Sequence, residues 1–78
     1  MSKINFKNED VRSIIKEVFR IGRKKPKKYD ADNIQNWDSL GHMILLEKIE
    51  KKFNLSIKSK DIGKLQSEKE IIKYLKRS

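Results

Sequence analysis

The stretch Trp37-Asp38-Ser39-Leu40-Gly41-His42-Met43-Ile44-Leu45-Leu46 decides the fold. A polar segment stops at Asp38, and a strongly apolar run to Phe53 begins at once. Asp38 is a good N-cap, because its carboxylate accepts backbone N–H groups that the first turn leaves without partners. The pattern therefore predicts a helix from Ser39 to about Phe53, with Ser39 at its first position and its hydroxyl facing water. A serine held at a positively polarised helix start suits a phosphate ester. Within this helix His42, Leu45, Leu46, Ile49 and Phe53 share one face over its whole length. That face is the expected core face. Leu40, Met43 and Ile44 fall on the roughly opposite face near Ser39. One small bundle does not bury both faces, so this second set is expected as an exposed apolar patch of the kind that marks protein contacts. The alternative is that the preceding loop folds over it.

Working outward, Val11, Ile14, Ile15, Val18 and Phe19 repeat with the helical period and predict a first helix from about Asn8 to Ile21. Asn8 is its expected cap, and Gly22 its expected left-handed terminus. A long loop follows from Arg23 to Trp37, with Pro26 blocking helix and Asp30, Asp32 and Asn33 favouring turns. Loops of this length inside a small domain are often functional. Ile34 and Trp37 are its expected anchors. Past Asn54, Leu55 and Ile57 lead back to the core, and Ser59 to Leu65 holds a brief helical turn. Ser67-Glu68-Lys69-Glu70 reads as a capping box that starts a last helix, with Ile71, Ile72 and Leu75 facing inward. The fold class is all-α: a small four-helix bundle with a long loop between the first two helices and a short third helix. Residues 1–78 read as one domain.

The motif Trp37-Asp38-Ser39-Leu40-Gly41-His42-Met43, set between a long loop and an apolar helix, resembles the prosthetic-group site of acyl carrier proteins. The resemblance runs from about Val11 to Leu75. It implies the acyl-carrier type of bundle, with 4′-phosphopantetheine carried on Ser39 and Asp38 and Leu40 flanking it. It also implies partners: a phosphopantetheinyl transferase, a ligase or synthase that loads an acyl or aminoacyl group as a thioester, and a downstream acyltransferase. A free-standing monomeric carrier in fatty acid or polyketide biosynthesis is the expectation, a dedicated pathway being preferred to bulk fatty-acid synthesis, and the chain itself would not be an enzyme. Members of that family usually have an acidic second helix that basic enzymes dock on. Here Glu47 and Glu50 are mixed with Lys48, Lys51 and Lys52. Recognition is therefore expected to centre on Leu40, Met43 and Ile44, with Glu47 on the rim and both glutamates solvated.

Charge sets this chain apart. It carries a net charge of +9 and a pI near 9.9. The basic residues are spread along the chain, and only Arg20, Arg23, Lys24, Lys25, Lys27 and Lys28 form a run without an acidic neighbour. A solvated loop is the plain expectation for such a run. A small basic nucleic-acid-binding helical protein is the alternative function, but no helix-turn-helix spacing supports it. The chain has no cysteine, hence no disulfide framework and no thiolate metal site. His42 is the lone histidine and lacks the partners that acid–base or metal chemistry needs, so a structural or pocket-lining role is expected. No apolar run approaches a membrane span and the N-terminus is polar, which suggests a cytoplasmic protein.

Overall fold

A computed structural model describes residues 7–23 and 25–77. Among the described residues four helices follow in order: α1 (Asn8–Phe19), α2 (Ser39–Phe53), α3 (Ser59–Ile62) and α4 (Glu68–Arg77). Among the described residues there is no strand, only an isolated antiparallel bridge between Asp30 and Ser67. The molecule is thus an all-α bundle in which α1 packs against both α2 and α4.

One contiguous core holds it together. Val11, Ile14, Ile15 and Phe19 enter it from α1, Leu45, Leu46 and Ile49 from α2, and Ile71 and Leu75 from α4. Ile21, Ile34, Trp37 and Leu65 complete it from the connections, so the two expected loop anchors are in place. Val18, Phe53 and Ile72, expected on core faces, are only half-buried at its margin. Phe53 is the last residue of α2 and packs against the core from its margin.

Both ends of α1 differ from expectation. Its N-cap is Lys7 rather than Asn8, with the Lys7 N–H donating to Asp10 Oδ2 at 3.0 Å. An aspartate three residues in supplies the acceptor, so Asn8 is free to be helical. At the other end the helix stops at Phe19, and Arg20, not Gly22, adopts the left-handed conformation (φ 51°). The Arg20 N–H donates to Glu17 O and the Ile21 N–H to Lys16 O at 3.1 Å. This is a Schellman turn, whose last residue is typically apolar and folds back on the helix. Buried Ile21 plays that part and ends α1 two residues early. Gly22 (φ 60°) supplies a second left-handed step in the loop.

The long loop is drawn toward α4, not over α2. The Glu68 N–H donates to Tyr29 O at 2.8 Å, and the Ala31 N–H to Gln66 O at 2.9 Å. Arg12 reinforces this junction: its Nε and Nη2 each donate to the Glu68 carboxylate at 2.8 Å, and its guanidinium lies 4.2 Å from the Tyr29 ring centroid. At the head of α4, Ser67 Oγ accepts the Glu70 N–H at 3.1 Å, the serine half of the expected capping box.

Candidate functional site at the start of the second helix

Three devices position the head of α2. The first is the cap. Asp38 Oδ1 accepts the Gly41 N–H at 2.8 Å, and Asp38 O accepts the His42 N–H at 2.8 Å. Ser39 follows as the first helical residue and is exposed. The second is the approach. The Trp37 N–H donates to Ile34 O at 3.0 Å and the Asp38 N–H to Asn36 O at 2.9 Å, a tight turn that drives the Trp37 ring inward. That ring stacks on Phe19 with centroids 4.9 Å apart.

The third device is His42, buried one turn after the cap. The Trp37 Nε1–H donates to His42 Nδ1 at 3.0 Å, and His42 Nε2 lies 2.7 Å from Ile62 O. An indole N–H only donates and a carbonyl only accepts, so the imidazole carries its proton on Nε2 and donates it to Ile62 O. His42 thereby ties the loop, α2 and α3 together. It is committed on both nitrogens to structural bonds.

Gly41 is required by contact, not by conformation. A β-carbon there would lie 2.7 Å from Asn36 O and 2.8 Å from Phe19 Cε1. The helix start is thus pressed directly against the incoming loop.

Outside this rigid base the surface is open. Leu40, Met43 and Ile44 are 72%, 51% and 42% exposed, so the loop does not cover the patch. With Leu46, Ile57 and Ile62 they line a groove of about 310 Å³ between α2 and the α3 region. On the other side of Ser39, a depression of about 240 Å³ is lined by Trp37, Asp38, His42 and Gln66.

Of the two glutamates expected to be solvated, Glu47 is exposed, with Oε1 3.7 Å from Lys51 Nζ. Glu50 is different. It is half-buried, and its Oε2 accepts the Ile57 N–H at 2.7 Å. The segment after α2 returns along the helix and leaves an amide that needs an acceptor, and Glu50 provides it. Glu50 therefore anchors one wall of the groove.

The sequence placed Ile57 on the link back to the core and Ile62 facing inward, but it gave neither of them, nor Gln66, a place beside Ser39, because that depends on how the chain returns after α2. A signal for Gly41 was present: a glycine inside a good helix is unfavourable, so its presence points to a close approach. Among the described residues no group of His, Asp or Glu is arranged to hold a metal ion, and no helix is long and apolar enough to cross a membrane. No family model matches the chain, and neither does any curated protein or solved structure.

Proposed function

We propose that this chain is a free-standing carrier protein that bears 4′-phosphopantetheine on Ser39 and delivers a thioester-bound acyl or aminoacyl group to partner enzymes. The observation that carries the reading is an exposed serine at the first position of a rigidly capped helix, flanked by an open apolar groove. The residues fit the group. Ser39 is exposed, so a phosphodiester formed on its Oγ meets solvent rather than a packed wall. Its charge sits at the positive end of the α2 dipole. When bound, the group supplies a thiol on a flexible arm.

The chain's own residues do the rest. Asp38 caps the helix and keeps Ser39 at its head, with Gly41 and His42 fixing that head to the core. Leu40, Met43 and Ile44 offer the contact on which a transferase, a loading ligase or synthase and a downstream acyltransferase would meet the serine, with Glu47 on the rim. No side chain is assigned acid–base work. The contribution of such a protein is tethering, which raises the effective concentration of the bound group at each partner's site. The acyl-carrier type of bundle, a monomeric state and a cytoplasmic setting belong to the same proposal.

Incubation with coenzyme A and a broad-specificity phosphopantetheinyl transferase, followed by intact-mass measurement, tests it. Wild type gains the mass of one phosphopantetheine and Ser39→Ala gains none. Modification at another serine, or none with several transferases, removes the reading.

A further inference from the structure

A second groove, of about 810 Å³, lies where α1, the long loop and the head of α4 meet. Lys16 reaches it from α1, Lys25, Lys27 and Lys28 from the loop, and Lys69 from α4. Among the described residues none of these five has a carboxylate within 4.0 Å. The groove does hold two carboxylates, but both are engaged. Glu68 takes two bonds from Arg12, and Asp30 Oδ1 accepts from the Asn33 N–H and side-chain amide at 2.9 and 2.7 Å. The walls are thus braced by satisfied polar contacts, and among the described residues the positive charge of the rim is left without a carboxylate partner.

We propose that this groove docks a carboxylate-rich segment of another protein. Three features select that occupant. The free charges of the rim are lysines, a set of separate point charges, and the one guanidinium in the groove, Arg12, is already committed to Glu68, so no free arginine fork is left to grip a phosphate in pairs. Its one aromatic, Tyr29, has Arg12 over its ring, so it makes no platform for stacking a nucleic-acid base. Among the described residues none of the large exposed apolar side chains, Leu40, Met43 and Ile44, lines the groove, so these offer nothing there to insert into a lipid surface. Dispersed carboxylates on a polypeptide match dispersed ammonium groups and need neither stacking nor insertion. This inference stands apart from the carrier reading, since it uses neither Ser39 nor the apolar groove.

The test is fluorescence anisotropy of a labelled oligoglutamate at low and at physiological salt. A single-stranded oligothymidylate and phosphatidylglycerol vesicles serve as competing probes. Oligoglutamate binds most tightly, and added salt weakens it. A triple variant, Lys27→Glu with Lys28→Glu and Lys69→Glu, weakens it by about tenfold, because three surface attractions become repulsions. A charge-matched triple on α2, Lys48→Glu with Lys51→Glu and Lys52→Glu, changes it much less. Equal losses in the two triples would mean that net charge alone attracts the probe and would overturn the proposal. Tighter capture of the oligonucleotide or the vesicles, or no binding of oligoglutamate, would overturn it as well. If a melt shows that the groove triple unfolds, glutamine at the same three positions gives the same comparison.

Discussion

Replacing Gly41 with alanine sets two opposing effects against each other. Alanine is the better helix former by about 1 kcal/mol, and it also restricts the unfolded chain. Against this, the new methyl would sit 2.7 Å from Asn36 O and 2.8 Å from Phe19 Cε1. Neither neighbour yields easily. Asn36 O accepts the Asp38 N–H in the turn before the helix, and Phe19 is buried and stacked on Trp37. Overpacking of this kind costs about 1–3 kcal/mol, and two held contacts put it at the upper end. The net expectation is a loss of about 2 kcal/mol, equivalent to about a 10 °C lower melting temperature in a domain of this size. Gly63→Ala is the control, because a β-carbon there meets nothing within 4 Å and the backbone is right-handed (φ −69°). Thermal melts followed by circular dichroism compare the two. Gly41→Ala falls while Gly63→Ala holds or rises. A Gly41→Ala protein as stable as its control would mean that α2 does not press on the loop, and the account of how Ser39 is positioned would fail.

Three further outcomes follow from the site. His42→Leu leaves the Trp37 indole N–H without a partner, while Ile62 O keeps the Leu65 N–H at 3.3 Å, so it lowers stability by about 1–3 kcal/mol; a urea midpoint that barely moves would show that water replaces the ring. Glu50→Lys removes the acceptor of the Ile57 N–H and destabilises by about 1–3 kcal/mol, whereas exposed Glu47→Lys stays within about 0.5 kcal/mol; equal melting temperatures for the two would contradict the different roles given to them. Met43→Asp leaves the melt unchanged, because the side chain is half exposed and off the core face, yet slows phosphopantetheine transfer to Ser39 by desolvating a charge at an apolar contact; an unaltered transfer rate would move the recognition surface elsewhere.

How far the chain could be read follows from where each determinant lies. The bounds of α2 were legible because both signals are local: Asp38 before the apolar run, and Asn54 in the left-handed conformation after it. Its core face was legible because His42, Leu45, Leu46 and Ile49 repeat with the helical period. The end of α1 was less so, since Arg20 carries no sign in its chemistry that it will turn left-handed, and Gly22 nearby is the more permissive residue. The apolar patch is exposed as expected, but the choice between that and a covering loop was left open in the sequence. It depends on which way the long loop falls, and that is fixed where Tyr29 O accepts the Glu68 N–H and Arg12, 56 residues from Glu68 in sequence, pairs with the Glu68 carboxylate and covers the Tyr29 ring. Glu50 was misjudged for a related reason: its partner amide belongs to a return path that no periodicity announces.

These long-range ties also explain why the candidate site sits at the head of α2. A residue that must be presented to other molecules needs a fixed backbone and a free side chain within the same turn. Cores give the first and loops the second. Here Trp37 and His42, buried and bonded to each other, bracket Ser39 and Leu40, both exposed. Because the loop is pinned at α4 by the bonds of Tyr29 O and the Ala31 N–H, which the Arg12–Glu68 pair braces, it supports this turn without covering it. Loosening that distant pair would therefore act on the site through the loop, by freeing Trp37's approach, and not through any contact with Ser39 itself.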